Sequence, residues 1–467
     1  MILFGLIFYL IVMLVIGFLS FTAIKSMEDF LLGGRKLPSW VIAISERASG
    51  ESAWFILGLP GLAYTQGLSA FWAVFGCAIG IFLSWSFVAP KLRKFSKKFQ
   101  SLTIPDFLEE RFKDSSHLLR IFSLIIIVFF YTIYVSAQFM GAGKVLNATF
   151  GISPLIGMMI GGFAIILYTL LGGFFAVCWT DLIQGILMAL AAVGIPIIGI
   201  VISGGWHAIN YKLATINPSL LDITNVKGTL WAVIIGELAI GLGYFGQPHL
   251  LVRYMALKND KDMRKGRFIA LLWVLLAYWG APFIGVIAIT LLKGDITDPE
   301  HVMPLMAKQL LPGWIAGLLI SAAIAAMMST ADSQLLVASS GISRDVYNKI
   351  FKKNAKKKTL LMISRLATVI IGIVAFLLAI FVKELIFWFV LYAWAGLGAA
   401  FGPVILLSLW YKRTNKWGAF SGMLTGTITV IVWHNIKILH NFIYELLPGF
   451  ILAMITIIIV SEITNKK

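Results

Sequence analysis

Apolar runs of about 20 residues, each long enough to cross roughly 30 Å of hydrocarbon as a helix, recur along nearly the whole chain. Short segments carrying most of the charged residues separate them. The pattern predicts thirteen membrane-spanning helices and no soluble domain. The expected spans are 2–24, 38–64, 68–90, 119–146, 153–171, 174–203, 228–256, 268–292, 312–338, 360–382, 385–410, 416–436 and 441–461.

Composition excludes an ordinary soluble protein. The 467 residues are 60% hydrophobic and 13% charged, and the mean hydropathy is +0.92. Soluble domains contain about 45–50% apolar and about 25% charged residues. The chain is therefore predicted to be an all-α polytopic membrane protein, with a single transmembrane domain over residues 1–467.

The positive charge follows the loops and predicts an orientation. The net charge is +17, and 30 lysines and arginines fall on one side of the expected spans against 7 on the other. Cytoplasmic loops of membrane proteins carry such an excess, so we expect the N-terminus outside and the C-terminus in the cytoplasm. The same pattern argues against a nucleic-acid partner. The first apolar run follows no cation, and we expect a retained span rather than a signal peptide.

Other site classes have little support. Cys77 and Cys178 both lie in apolar runs and suggest neither a disulfide framework nor a metal site. The six histidines are scattered without ligand spacing. No arrangement of nucleophile, base and metal indicates an enzyme, and no feature points to a required protein partner.

Two expected spans are interrupted. The second contains three charges and three hydroxyls over residues 45–52, and the seventh contains four helix breakers over residues 241–248. Unwound backbone inside a membrane is tolerated where it lines a cavity. The breaks lie five spans apart, which predicts a five-plus-five inverted repeat over about 38–203 and 228–410, with additional spans 2–24, 416–436 and 441–461. Kinks without a ligand are the alternative interpretation.

The ninth span has a face of small and hydroxyl residues. Ala326, Ser329, Thr330 and Ser333 follow helical spacing. Hydroxyls there, joined by carbonyls of an unwound neighbour, suit a hard monovalent cation such as Na⁺. Close helix packing explains the same residues equally well. Asp181, Glu237 and Asp332 are further polar residues within spans, and structural pairing is an alternative for Glu237 and Asp332.

Several motifs together resemble one family. They are LGGR at 32–35, GLPG at 58–61, LYTLLGGFFAVCWTD at 167–181, GLGYFGQPHLLVRYM at 241–255, MSTADSQLLVASSGISRDVY at 328–347 and YAWAGLGAAFGP at 392–403. With these motifs the chain resembles the sodium:solute symporter family over nearly its whole length, and within that family the bacterial sodium/proline symporters.

The resemblance implies a LeuT-like fold with two broken helices, in a bacterial plasma membrane. It implies Na⁺-coupled symport of proline or a closely related small amino acid by alternating access. The implied Na⁺ site comprises Ala48, Glu51 and Ala326 through their backbone and Ser329 and Thr330 through their hydroxyls, with Asp181 on the ion path. The implied substrate site comprises Ser49, Gly50, Ser52, Tyr134, Ile240, Tyr244 and Pro248, with unwound backbone around Ser49 and Gly50 receiving the substrate carboxylate.

Two departures keep alternatives open. Gly50 stands where the proline symporters have an aspartate important for coupling, with Glu51 next to it. Ile240 stands where they have a pocket tryptophan. A proton-coupled or weakly ion-coupled transporter of the same fold, for another small solute, therefore remains the alternative, with H⁺ in place of Na⁺. A membrane sensor is disfavoured because only a short tail follows the last span.

Overall fold

A computed structural model describes residues 1–21, 27–171, 173–226, 229–292, 296–353 and 355–465. Helices dominate these residues. They are α1 (Ile2–Phe21), α2 (Met27–Leu32), α3 (Ser39–Ala53), α4 (Leu59–Gln66), α5 (Phe71–Leu83), α6 (Ala89–Lys98), α7 (Ile104–Phe112), α8 (Leu118–Phe150), α9 (Pro154–Leu171), α10 (Phe174–Ile202), α11 (Trp206–Ile216), α12 (Leu230–Ala239), α13 (Pro248–Ala256), α14 (Asp260–Ala277), α15 (Gly280–Leu291), α16 (Val302–Leu310), α17 (Gly313–Ser340), α18 (Lys357–Phe381), α19 (Ile386–Trp410), α20 (Lys416–Asn435), α21 (Lys437–His440) and α22 (Leu446–Thr464).

Shorter 3₁₀ and π segments connect several of these helices. The 3₁₀ segments are Gly33–Arg35, Gly67–Ala70, Pro218–Leu221, Ile240–Phe245 and Pro299–His301. The π segments are Trp54–Gly58, Ser84–Val88 and Gly341–Phe351.

Each expected span overlaps a helix, although the number of spans stays a prediction. By length and composition, eight described helical stretches can cross a membrane, or nine if the bent pair of α12 and α13 is one span. One stretch, Ser39–Lys98, contains both the second and the third expected span. Two shorter apolar helices, Ile2–Gly17 and Pro154–Leu170, lie in the first and fifth expected spans.

Part of the charge comparison lies outside the described residues. Five of its lysines are not described, namely Lys25, Lys227, Lys293, Lys466 and Lys467. The end of expected span 2–24 and the start of expected span 228–256 also lie outside the described residues.

The packing of helices has the internal symmetry that an inverted repeat requires. Helix α5 packs on segment 240–245 and α6 on α13. In the other half, α14 packs on α3 and α15 on α4. The last helix of each half makes equivalent contacts. Helix α10 packs on α3 and α17, and α19 packs on 240–245 and α8. The broken helices thus occupy equivalent central places.

The short helix α7, most of whose residues are buried, links the two halves on the cation-rich side. Thr103 caps α7 by accepting the Asp106 N–H at 3.1 Å. Arg120 at the start of α8 donates to Asp106 and Asp345 at 2.7 and 2.8 Å. Burial opposes ionisation of Asp106, but the charges of Arg344 and Arg120 outweigh it and hold the pKa of this carboxyl below its usual range.

Candidate ion and substrate site

The first break lies at Ser52. This residue has φ 48° and ψ −168°, a left-handed conformation that costs energy for any residue but glycine. Gln138 on α8 satisfies the freed backbone by accepting the Ala53 N–H at 2.9 Å. The Trp54 N–H donates to the Glu51 carbonyl and also lies 3.3 Å from Ser52 Oγ. The break is therefore held by polar groups at fixed positions.

The unwinding expected around Ser49 and Gly50 is displaced to Ser52. Both residues lie within helix α3, and Ser52 is the residue of that helix with non-helical torsions. The physical reason is Gln138, whose amide oxygen stabilises a free N–H beyond Ser52.

The second break is a 3₁₀ turn over Ile240–Phe245, followed by Gly246 and Gln247 and a bend of 47°. Trp394 on α19 stabilises it by donating its indole N–H to the Ile240 carbonyl at 2.9 Å. Gln247 returns a bond from its amide to the Trp394 carbonyl at 3.1 Å. Gly243 has no room for a side chain because its Cβ would overlap the Trp394 ring.

The hydroxyl face of α17 meets α3 just before the first break. Ser329 Oγ donates to the Ala48 carbonyl at 2.9 Å and to the Ala326 carbonyl at 3.1 Å. Thr330 Oγ1 donates to the Ser49 carbonyl at 3.0 Å. All of these residues are buried. Three carbonyl and two hydroxyl oxygens, which are the ligand type that hard cations prefer, thus converge at one contact between two helices.

A buried arginine closes the cation-rich side of this contact. Arg253 on α13 donates to Asp181 at 2.7 Å, to Ser49 Oγ at 2.6 Å and to Ser333 Oγ at 2.8 Å. Ser45 Oγ accepts from Arg253 at 2.8 Å and donates to Asp181 at 2.6 Å. The network connects four helices and leaves Arg253 only 1% exposed.

Arg253, which is one of the 30 cations counted on one side of the expected spans, does not lie in a loop. The residue lies inside α13 and pairs with Asp181 on α10. Its position within expected span 228–256 could have indicated a buried pair, because charges in hydrocarbon are rare unless they are paired or functional. Asp181 itself lies within α10.

Two carboxylate oxygens beside this network have no hydrogen-bond partner among the described residues. They are Asp181 Oδ1 and Asp332 Oδ2, both on fully buried side chains. A buried acceptor without a partner is costly, and a cation can relieve that cost. The place of Asp181 on an ion path stays a prediction.

Glu51 faces a different cluster from the hydroxyl face of α17. Arg47 Nη1 donates to its carboxylate at 3.1 Å, and the Tyr278 hydroxyl also donates to it. Arg47 pairs twice with Glu46. The Glu51 carbonyl accepts the Trp54 N–H within the broken helix. The structure thus groups Ala48, Ala326, Ser329 and Thr330, and it turns the Glu51 side chain away from them.

Tyrosines surround the two breaks. The Tyr134 hydroxyl donates to Ser52 Oγ at 3.4 Å. The Tyr244 and Tyr278 hydroxyls are 2.6 Å apart, and the Tyr244 ring lies edge-on to Trp394 at 4.7 Å between centroids. Tyr278 had no distinguishing signal in the sequence, because its importance depends on a contact 227 positions away in the chain with Glu51.

A second missed residue is His249, which follows Pro248 at the start of α13. Its Nε2 lies 3.2 Å from the Ser49 carbonyl, and its Nδ1 lies 3.1 Å from the Tyr131 hydroxyl. Gly50 lies in the same stretch of α3, where a Cβ would be 3.5 Å from Leu250. The start of α13 therefore rests directly on the residues before the first break.

A cavity of about 610 Å³ opens on the other side of the breaks. Ile240 and Phe387 lie on its wall, and Phe387 packs edge-on against Trp54 with 6.2 Å between ring centroids. Glu237 also lines it, with one carboxylate oxygen lacking a hydrogen-bond partner in the described part of the chain. The cavity approaches the second break from the side away from Arg253.

Two discontinuous helices at the centre of a repeated helical bundle define a secondary-transporter fold. A family model for the sodium:solute symporter family matches residues 30–426. The chain belongs to the sodium:solute symporter family, and it is accordingly a transporter and not an enzyme.

Proline transporters are among the similar proteins. The chain is 42% identical to the high-affinity proline transporter PutP of Bacillus subtilis (strain 168), covering 97% of this chain and 96% of that one. It is 40% identical to the osmoregulated proline transporter OpuE of the same strain, covering 98% and 94%. It is 38% identical to the sodium/proline symporter of Escherichia coli (strain K12), covering 97% and 91%.

A solved structure supports the fold. A Na⁺-coupled sialic acid symporter, in a substrate-bound outward-open state, superposes with a TM-score of 0.82 at 23% identity, covering 99% of this chain and 98% of that one. At this identity the likeness shows the shared fold. The expected all-α transporter fold with two broken helices is therefore confirmed.

Proposed function

We propose that this protein is a Na⁺-coupled symporter of proline or a closely related small amino acid, working by alternating access. The observation that carries the proposal is the contact of Ser329 and Thr330 with the carbonyls of Ala48 and Ser49, at 2.9 and 3.0 Å. The contact places oxygen ligands between a broken helix and an intact one, so that an ion bound there stabilises one arrangement of the two helices. Relatives named as proline transporters at about 40% identity support the solute.

The proposed ion ligands are the carbonyls of Ala48 and Ala326 and the hydroxyls of Ser329 and Thr330. Ser49 adds a carbonyl, since Thr330 contacts it at 3.0 Å. Glu51 enters the site only through its main chain. Asp181, with its unpartnered oxygen, is the proposed acceptor on the ion path towards the cation-rich side.

The proposed solute site lies around the breaks. It comprises Ser49, Gly50, Ser52, Tyr134, Ile240, Tyr244 and Pro248. Tyr244 offers a ring face and a hydroxyl, which suits a small amphipathic ring such as that of proline. The hydroxyls of Ser52 and Tyr134 are polar groups at the first break and lie 3.4 Å from each other. Ile240 bounds the site on the cavity side.

We further propose a single domain with thirteen spans in the plasma membrane, the N-terminus outside and the C-terminus in the cytoplasm. The excess of lysine and arginine on one side supports this orientation. The Arg253 network then closes the cytoplasmic side, and the cavity beside Ile240 faces outwards.

The test is the Na⁺ dependence of proline uptake in proteoliposomes. Losing a hydrogen-bonding oxygen costs about 1–3 kcal/mol, and about 1.4 kcal/mol is a factor of ten. We expect Ser329→Ala or Thr330→Ala to raise the Na⁺ concentration for half-maximal uptake by about tenfold or more. Ser321→Ala is the control, because Ser321 is buried on the same helix and its hydroxyl donates to the Gly317 carbonyl of that helix at 2.8 Å. An unchanged Na⁺ dependence in both variants would remove this ion site.

The competing proposal is proton coupling, which the Gly50 position favours because the family's aspartate is absent there. Imposing Na⁺ and proton gradients separately on the wild-type protein decides between the two. Uptake driven by Na⁺ alone supports the first proposal, and uptake driven by pH without Na⁺ supports the second.

A further inference from the structure

Two histidines and a glutamate meet beside the mouth of the cavity, on the side away from the cation-rich loops. His434 lies in the last turn of α20, His440 ends the short α21, and Glu445 directly precedes α22. The three residues are six and five positions apart along the chain. This spacing matches no ligand motif, so the sequence alone does not group them. The loop between α20 and α22 brings these three side chains together.

The three ligand atoms are close enough to share one ion. His434 Nδ1 lies 3.1 Å from Glu445 Oε1, and His440 Nδ1 lies 3.5 Å from Glu445 Oε2. With one ligand atom taken from each of the three residues, all three lie within 4.8 Å of one another. Tetrahedral zinc binds nitrogen and oxygen ligands at about 2.0–2.2 Å. The His440 side chain is 38% exposed, and a small rotation of it would bring its nitrogen to that distance from a shared ion.

A buried, incompletely satisfied carboxylate points into the cluster. The Glu445 side chain is only 3% exposed. Its Oε2 has no hydrogen-bond partner in the described part of the chain, although His440 lies near it. A buried carboxylate with an unused lone pair is costly unless a cation or donor completes it. This observation is independent of the grouping itself and points to a cation.

The surrounding contacts hold the ligands in place. The Tyr392 ring stacks on the His434 ring at 4.1 Å between centroids. Trp433 donates its indole N–H to the Ile443 carbonyl at 3.0 Å, and the Tyr444 hydroxyl donates to the Leu391 carbonyl at 2.7 Å. The first bond joins α20 to the end of the loop, and the second joins the residue before Glu445 to α19. A site with supported ligands binds metal more tightly than a flexible one.

We propose that His434, His440 and Glu445 form a binding site for a divalent transition metal, with Zn²⁺ as the best match, in the outward-facing wall of the cavity. Two imidazoles and one carboxylate suit zinc and leave one position for water. Hard cations such as Ca²⁺ and Mg²⁺ prefer sites made of oxygen alone. The site is distinct from the Na⁺ site, since its ligands come from α20, α21 and the residue before α22.

Occupancy is expected to slow uptake. His440 and Glu445 line the cavity that leads to Ile240, so a bound dication adds positive charge to its wall. It also joins the last turn of α20 to the segment 440–445, which lines the same cavity. This consequence rests on the proposed function, whereas binding of the metal does not.

Calorimetric titration of the purified full chain with Zn²⁺ tests the site. We expect one Zn²⁺ per chain, weakened by at least about tenfold in His440→Gln and in His434→Gln, since even an outer partner of a metal ligand is worth about 10–100-fold. His207→Gln is the matched control, because His207 is an exposed histidine on α11 on the same side. Ca²⁺ and Mg²⁺ should give no comparable binding.

The result that overturns the proposal is wild-type affinity in His440→Gln, or equal weakening in His207→Gln. The partly exposed His440 keeps the test valid if His434→Gln fails to fold. Radiolabelled proline uptake with and without Zn²⁺ is the second readout, and inhibition should disappear in His440→Gln. Calorimetric binding without any effect on uptake would contradict the consequence for transport and leave the metal site standing.

Discussion

The two broken helices meet the same physical demand by different means. At Ser52 polar side chains contact the backbone, with Gln138 accepting the freed Ala53 N–H at 2.9 Å and Ser52 Oγ accepting from the Trp54 N–H beside the Glu51 carbonyl. At Ile240–Phe245 the turn is made by glycines, and the Trp394 indole N–H satisfies a carbonyl. Polar side chains stabilise the first break, whereas glycines and close packing determine the second.

Charge distribution sharpens the contrast. The helix before the first break holds Glu46, Arg47 and Glu51, all fully buried. Trp85 and Tyr254 donate to Glu46 at 3.0 and 3.2 Å, so the cluster also bonds neighbouring helices. Residues 238–248 contain no charge.

The glycines of the second break serve close packing. A Cβ on Gly241 would overlap the Gly76 carbonyl, and one on Gly243 would overlap Trp394. A Cβ on Gly50 would be 3.5 Å from Leu250, an ordinary contact. The first break should therefore be sensitive to changes of charge and the second to changes of volume.

The largest expected effect is the loss of Arg47. Arg47→Gln leaves Glu46 and Glu51 buried without their cation, which should lower the free energy of unfolding by about 3–5 kcal/mol. Thermal or denaturant unfolding in detergent measures it. Arg413→Gln is the control, because its ion pair with Glu462 is exposed and should contribute less than about 1 kcal/mol. Equal effects of the two changes would contradict the idea of a polar first break.

Next in size is Glu51→Gln. A hydrogen bond to a charged group is worth about 1.5–3 kcal/mol, and this change removes the carboxylate that Arg47 and Tyr278 contact. Na⁺-driven proline uptake should be severely impaired. Adding Gly50→Asp should partly restore it, since a Cβ there would lie 3.7 Å from Arg47 Nη2. Wild-type Na⁺-driven uptake in Glu51→Gln would be the contrary result.

Much of this architecture is visible in the sequence. Apolar runs locate the helices, and clusters of breakers locate both interruptions, because the backbone has few ways to satisfy itself in hydrocarbon. The meeting of Ser329 and Thr330 with α3 was expected from their helical spacing and from family resemblance. The Arg47–Glu51 pair follows from i,i+4 spacing.

Other features depend on partners distant in sequence. The break falls at Ser52 rather than at Gly50 because Gln138 on α8 accepts the Ala53 N–H. Arg253 is counted with the cations of the loops because its partner is distant in the sequence: Asp181 on α10 lies 2.7 Å from it. No local pattern specifies such contacts, since a single residue on another helix decides them.

A moderate effect is expected at the second break. Gly241→Ala forces a methyl group against the Gly76 backbone, and overpacking costs about 1–3 kcal/mol. Gly50→Ala is the matched control at the first break, where alanine favours the helix by about 0.5–1 kcal/mol over glycine. The two unfolding midpoints should move in opposite directions. Equal destabilisation would show that the second break is no more tightly packed than the first.

The smallest expected effect is that of Ile240→Trp, which puts a larger side chain where the second break faces the cavity. Ile240 lines the cavity, so a larger side chain can extend into space rather than into backbone. Each buried methylene adds about 0.8 kcal/mol, roughly a fourfold change in affinity. Proline binding should be preserved or tightened by about that factor, and bulkier amino acids should compete less well.

Competition binding with a series of amino acids measures this change. Val233→Trp, on the same cavity wall but seven residues earlier on α12, should leave the specificity unaltered. If Ile240→Trp instead weakens proline binding and spares bulkier amino acids, the natural solute is larger than proline. The open side of the second break would then be the feature that admits it, because glycines fix its backbone and Ile240 is the side chain there whose volume can vary.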